Sequence, residues 1–325
     1  MTKKASALAV AALVSLAATI ATASVGYNKI DLPAESDVVI SVPFTKVAVG
    51  EYTVSSKGGG TTLNLDGSPG FTANDFQGTH YIRVKDGPAA GVWSTISANA
   101  SASVDLENSD VFAAMTGSET ICIYPHMTLG ELLPASLNGF SFEEGQINVL
   151  FFENSPAAPD TNKPAAGVAS FNATFDFWTG GPNSAGASEI VTPDTRLGIR
   201  NNSTNATLSV FTMGQVSEAP IAWVLPSHGS QADLQVGSGL PVGITLAETD
   251  LGGNGNGVLF FDNTRTGTNL PSSSVANFNA NFDFWTGGPG SAGGNSVIPA
   301  SGAITVRAPA GSGGTVISVP NPFAD

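Results

Sequence analysis

FNATFDFWTGGPNSAG at residues 171–186 returns as FNANFDFWTGGPGSAG at residues 278–293. Only Thr174/Asn281 and Asn183/Gly290 differ, so 14 of 16 positions match at an offset of 107. So close a copy marks one folding unit used twice. Each copy reads as a strand of period two. Phe171, Phe175 and Phe177 fall on one side, and Asn172, Thr174, Asp176 and Trp178 on the other. Phe278, Phe282 and Phe284 oppose Asn279, Asn281, Asp283 and Trp285 in the same way. The Phe side is the expected core face, each buried ring contributing about 1.5–3 kcal/mol. The Thr-Gly-Gly-Pro after each Trp supplies a turn in which positive φ is allowed.

The repeat continues on both sides. Leu150–Asn154 (LFFEN) mirrors Leu259–Asn263 (LFFDN) at an offset of 109, and Arg200 mirrors Arg307 at 107. Residues 206–210 look like a diverged relative of 314–318. The drift in offset places short gaps in loops. These matches divide the chain into a first module at 24–126, repeat 1 at 127–226 and repeat 2 at 227–325. Units of about 100 residues suit a small domain. Val39–Pro43 (VISVP) also recurs letter for letter at Val316–Pro320. If the two are related, edge strands at both termini are placed to pair neighbouring chains.

Strand signals dominate elsewhere. Residues 38–42, 79–84, 91–96, 120–124, 219–225 and 242–246 are β-branched or alternating, and many are bounded by Gly, Pro or Asp. Residues 110–115 read as one helical turn capped by Ser109 or Asp110. Helices of ten or more residues between strands are absent, which excludes a doubly wound sheet and a TIM barrel. The expected fold is all-β, built of several small sandwich or barrel-like modules, the last two an internal duplication. Short strands broken by Gly and Pro weigh against a transmembrane barrel.

The first 23 residues read as a signal peptide. Lys3 and Lys4 precede an apolar run at residues 5–20, and Ala21-Thr22-Ala23 fits a cleavage site before Ser24. No later stretch reaches 18 unbroken apolar residues, so an integral helical membrane protein is not expected. Export to the cell surface or beyond, or to the periplasm, is the expected destination. Removing Lys3 and Lys4 takes the formal charge from −14 to −16. Without clustered basic residues, that charge excludes nucleic acid as a partner. Only 12% of residues are charged, against about 25% in an average protein. The single cysteine, Cys122, precludes an intramolecular disulfide and sits in a strand-like TICIY as a small buried side chain.

Two kinds of ligand site can be drawn from the residues. An exposed Trp offers a flat face to a sugar ring and a nearby carboxylate can hold hydroxyls, so Asp176 with Trp178, and Asp283 with Trp285, form a candidate glycan pair. Two copies would add avidity. Calcium is the one cofactor for which oxygen ligands cluster: Asp105, Glu107 and Asp110 in DLENSD, and Asp250 with Asn254 and Asn256 in a Gly-rich loop. Neither follows the EF-hand spacing. Catalytic candidates are weaker. Glu143, Glu144, Glu153 and Asp262 show no spacing tied to hydrolysis. Ser227 and His228 are sequence neighbours without a nucleophile elbow. His80, His126 and His228 are far apart. The expected protein is therefore not an enzyme. It is a secreted or cell-surface structural or adhesive β protein that pairs with itself or other surface components in a layer, appendage or matrix. A carbohydrate-binding protein using Trp178 and Trp285 is the alternative.

Overall fold

A computed structural model describes residues 25–134, 146–152, 160–172, 174–204, 206–225, 229–252, 256–311 and 315–324. The chain is built almost wholly of antiparallel strands. It opens with β1 (Val25–Leu32), β2 (Ser36–Ser41) and β3 (Phe44–Thr45). Next come β4 (Gly50–Lys57), β5 (Thr62–Leu65), β6 (His80–Val84), β7 (Trp93–Ala100), β8 (Ser103–Leu106), helix α1 (Ser109–Ala114) and β9 (Thr120–Pro125). The middle of the chain holds β10 (Met127–Thr128), α2 (Leu129–Leu132), β11 (Ile147–Phe151), β12 (Gly167–Asn172), β13 (Phe177–Gly180), β14 (Ile190–Val191), β15 (Arg196–Asn201) and β16 (Leu208–Val216). The last stretch holds β17 (Ile221–Leu225), β18 (Ala232–Gly237), β19 (Ile244–Thr245), β20 (Gly257–Phe260), β21 (Ser274–Asn279), β22 (Phe284–Gly287), β23 (Val297–Ile298), β24 (Ala303–Ala308) and β25 (Thr315–Val319). Among the described residues no helix is long and apolar enough to cross a membrane.

Two sandwiches share one strand order. The first contains a five-stranded sheet β13-β12-β11-β15-β2, and the second a five-stranded sheet β22-β21-β20-β24-β18. The smaller pairs also correspond: β1 with β16 and β17 with β25, then β10 with β14 and β19 with β23. Each unit closes its own core. Ile40, Ile147, Phe171 and Ile199 share one cluster, and Val236, Val258, Trp285 and Val306 another.

The correspondence corrects the modules expected at 24–126, 127–226 and 227–325: the barrel does end before β10, but the strands ahead of it belong to the first sandwich, and β17, paired with β25, belongs to the second. Residues 25–45 belong to the first sandwich, because β2 pairs with β15 in a register that sets Ile40 opposite Leu197, and β1 pairs with β16. Between these strands and β10 the chain leaves the sandwich to form a closed barrel, β4-β5-β8-β7-β6-β9. The two units count the excursion. Asp37 and Asp233 correspond at an offset of 196, while the capping pairs Thr128–Glu131 and Thr245–Glu248 correspond at 117. The difference, 196 − 117 = 79 residues, matches the barrel. Its interior is a packed core that includes Leu63, Ile82, Ile96, Val104 and Ile121. The VISVP pentapeptides occupy unlike places: Val39–Ser41 lie in β2, at the edge of a five-stranded sheet, whereas Val316–Val319 lie in β25 of a two-stranded one. The helical turn is capped by Asn108, whose side chain accepts from the Asp110 and Val111 amides.

The barrel docks through a buried ion pair. Arg83 of β6 gives Nη2 to Asp194 of the first sandwich at 2.9 Å, with side chains 1% and 4% exposed. The same guanidinium donates to the Gly91 carbonyl at 3.2 Å and approaches that of Pro220 at 3.5 Å. Gly91 must be glycine here: its φ is +90°, and a Cβ would lie 2.5 Å from the Ile221 carbonyl carbon. All three units thus meet at one charged contact.

Removing one member of such a pair strands the other charge. Asp194→Ala should lower unfolding stability by about 3–5 kcal/mol, whereas Arg83→Met with Asp194→Leu should cost markedly less. Urea denaturation of the three proteins checks the order. His126, at the junction between barrel and first sandwich, is 3% exposed. Its ring lies beside Tyr81 and Trp93. Burial, reinforced by His80 and Lys46, pushes its pKa down from 6.5 to about 4. The unfolded chain therefore binds a proton that the folded chain refuses between those values. Stability should fall as pH drops from 6.5 towards 4, by up to about 3 kcal/mol from this group. His126→Phe should flatten that part of a melting-temperature-versus-pH curve.

Candidate functional site

The repeated segment is a hairpin rather than one strand. In the first copy β12 ends at Asn172 and β13 begins at Phe177, with Phe171 opposite Trp178. In the second, Phe278 lies opposite Trp285. The reversal is made by residues that tolerate it. Asn172 Oδ1 accepts from the Phe175 amide at 3.2 Å and Asn279 Oδ1 from the Asn281 amide at 3.1 Å. Asp176 and Asp283 then adopt φ of 56° and 55°, the left-handed region that Asn and Asp enter more readily than bulkier residues. Gly180, Gly181, Gly287 and Gly288 take positive φ after each Trp, as the turn requires.

Reversal changes which side chains face inward. Two expectations are corrected. Phe171 is buried and Phe278 partly so, but Phe175 and Phe282 are 70% and 74% exposed, and Phe177 and Phe284 are 45% and 48% exposed. Trp178 and Trp285 are inside instead, at 4% and 9%. Each packs edge-to-face on its hairpin partner, Phe171 or Phe278, at a centroid distance of 5.2 Å. Trp178 also donates Nε1 to the Leu133 carbonyl at 3.4 Å. The ring faces that a sugar would need are therefore covered. Asp176 and Asp283 stand exposed beside the Phe pairs and have no tryptophan surface next to them to complete a glycan site.

What faces solvent is apolar and doubled. Phe175 lies 6.0 Å from Phe177 and Phe282 lies 6.3 Å from Phe284, centroid to centroid. Val168 and Val275, 42% and 41% exposed, stand farther along the neighbouring strands, beyond Ser170 with Asn172 and Asn277 with Asn279. Both patches sit at sheet edges, because among the described residues β13 and β22 are the outermost strands of their sheets. No charged residue interrupts either FWTG strand. Native proteins blunt such edges with charge, proline or cover, and exposed apolar patches mark contact surfaces.

The acidic candidates do not come together. Asp105 on β8 accepts from the Thr62 hydroxyl at 2.6 Å. Glu107 and Asp110 line a cleft of about 500 Å³ where the barrel meets both sandwiches, together with Trp93 and Trp223. Asp250 is exposed in the second sandwich, where its amide donates to the Ser318 carbonyl. Asn256 is buried and uses its amide to hold the Leu251 carbonyl at 2.9 Å. Among the described residues no three acidic, histidine or cysteine side chains gather as metal ligands. Cys122 is buried and its thiol pKa is raised, chiefly by burial. Residues 1–23, Glu143, Glu144, Glu153, Ser227, His228 and Asn254 lie outside the described residues.

Comparison of this chain with protein-family models, with curated proteins and with solved structures finds no match.

The division between core and surface within one hairpin is open to measurement. Phe171→Ala should cost about 3–5 kcal/mol of unfolding free energy. Phe175→Ala, four residues away, should stay within about 0.5 kcal/mol. Chemical denaturation of both variants tests the assignment, and the period-two reading of the sequence would require similar losses from each.

Proposed function

We propose that this protein is an exported structural or adhesive component of a cell surface or extracellular matrix, and that it associates with copies of itself through its two hairpin edges. The observation that carries the reading is the pair of matched apolar patches on outermost strands. An edge strand offers unpaired backbone donors and acceptors to a neighbouring chain. The phenylalanines beside it give that pairing hydrophobic area. Two equivalent edges on one chain allow each molecule to hold two neighbours, which is the minimum for a filament or lattice. Further support comes from the sequence. The N-terminal segment has the layout of an export signal, charge is sparse, and neither a nucleophile elbow nor a metal-ligand spacing occurs. An acidic chain with apolar edges left open has its clearest partner in another β edge.

Assembly through two edges has a countable consequence. Sedimentation velocity on the purified chain should show species that grow with concentration beyond a dimer. Phe175→Ser with Phe177→Ser should remove one edge and stop growth at the dimer. The same change at Phe282 and Phe284 should do likewise, and the fourfold variant should be monomeric. A monomer at all concentrations, or growth unaffected by the fourfold variant, would count against the reading.

A further inference from the structure

The two sandwiches meet across a pseudo-dyad whose contacts are reciprocal. Asp37 accepts from its cross-strand partner Arg200, and from the Asn269 amide of the second sandwich at 2.7 Å. Asp233 accepts from Arg307, and from the Asn162 amide of the first sandwich at 2.7 Å. Between these contacts lies a cavity of about 440 Å³. Its wall includes matched residues, Leu150 with Leu259 and Phe152 with Phe261.

The symmetry fails at several positions, among them Val39 against Gln235, Gly198 against Thr305 and, at the centre, Arg196. Where the second sandwich has Ala303, the first has Arg196. Its guanidinium lies 4.4 Å from the ring centre of Phe152 and 3.9 Å from that of Phe261. Nη1 donates to Gln235 Oε1 and, at 2.9 Å, to Thr305 Oγ1, both uncharged acceptors. Nε is buried without a partner. Among the described residues, Arg83, Arg200 and Arg307 each hold an aspartate, and Arg196 holds none. A buried cation without a counter-ion is unfavourable. Burial pushes the Arg196 pKa down to about 10, which leaves it charged at neutral pH.

Basic residues, scarce in this acidic chain, collect around the cavity. Setting aside Lys3 and Lys4, ten of the twelve basic residues remain. Five of them gather here: Lys163, Arg196 and Arg265 on the wall, and Arg200 and Arg307 against the wall's two paired aspartates. The carboxylates are Asp37, Asp233 and Asp262. The wall itself is balanced, 3 − 3 = 0, but Arg200 and Arg307 occupy Asp37 and Asp233, which leaves Lys163, Arg196 and Arg265 against Asp262 alone.

We propose that this cavity binds a small organic carboxylate with an apolar body. The carboxylate neutralises Arg196, and the hydrocarbon lies against Phe152, Phe261 and the two leucines. A planar carboxylate suits a guanidinium, and the apolar wall disfavours a multiply charged inorganic anion. The volume falls in the range of small-molecule sites, about 300–1,000 Å³. Arg265, exposed, and Lys163, half-buried, are placed to draw an anion towards the opening.

Calorimetric titration of the full chain with 3-phenylpropionate, and with the neutral 3-phenylpropionamide, tests this. The carboxylate should bind at least tenfold more tightly than the amide, and Arg196→Gln should remove that preference. If Arg196→Gln does not fold, the unaltered protein decides. Raising the salt concentration should then weaken carboxylate binding several-fold and leave amide binding unchanged. Absence of carboxylate binding, equal affinity for acid and amide, a preference retained in folded Arg196→Gln, or salt-independent carboxylate binding would each overturn the proposal.

Discussion

Two aspartates hold this molecule in register. Asp37 and Asp233 each face an arginine on the next strand of the same sheet, and each also takes an amide from the opposite sandwich. The first contact fixes how β2 lies on β15 and β18 on β24, where a slip of one residue would turn every side chain to the wrong face. The second fixes how the sandwiches lie on one another. The pairs are well placed to do this. Arg200 and Arg307 are 20% and 28% exposed, while Asp37 and Asp233 are 14% and 1% exposed. Both form two parallel bonds, with distances of 2.6 to 2.8 Å. Such geometry escapes the screening that makes a fully exposed pair worth little, and it limits the desolvation that makes a fully buried one costly.

The seam also explains a glycine. Gly237, at the end of β18, passes so near β2 that a Cβ would come within 2.2 Å of the Ser41 Cβ. The main chain at this crossing is tied on both sides, Ser41 donating to the Ser301 carbonyl and Gly237 to that of Asp194. Asp194 therefore serves two junctions, its carboxylate binding the barrel's Arg83 and its carbonyl binding the second sandwich. The barrel is an insertion spatially as well as in sequence: it leaves after β3, returns before β10, and is anchored on the same residue that helps hold the sandwiches together.

Much of this organisation was legible in the residues. The all-β class and several strands follow from alternation and turn chemistry, because period two and Gly-Pro punctuation are local properties. The start of the first sandwich was not, because its opening strands are separated from the rest by an inserted domain. A signal did exist. Thr128-Leu-Gly-Glu131 and Thr245-Leu-Ala-Glu248 carry the same capping box, and Asp37-Val-Val-Ile40 and Asp233-Leu-Gln-Val236 the same strand. Their offsets differ by the length of the barrel, so a search at one fixed spacing passes over them. The reading of the hairpin failed for a different reason. Alternation assumes a chain that runs straight, and Asn172 and Asp176 turn it within four residues. The inward set changes from one parity to the other across the turn, so that Phe171 and Trp178, seven apart, share the core.

The exposed phenylalanines differ in kind from the buried ones. A core ring is kept in place by the cavity its loss would leave, so its presence in both copies needs no explanation beyond packing. Phe175 and Phe282 fill no such space. Nor are the two sandwiches alike throughout: other strands differ widely. Leu208–Val216 and Thr315–Val319 share little, and Val38-Val39-Ile40 stands against Leu234-Gln235-Val236. The close match covers the hairpin and the preceding LFFEN and LFFDN strands, and within the hairpin the solvent-facing Phe pairs are retained as strictly as the buried Trp. A turn needs its Asn, Asp and Gly residues, but it does not need aromatic rings aimed at water. Their retention at both sheet edges, against the hydrophobic cost of exposure, is what a surface made for contact with another chain would require.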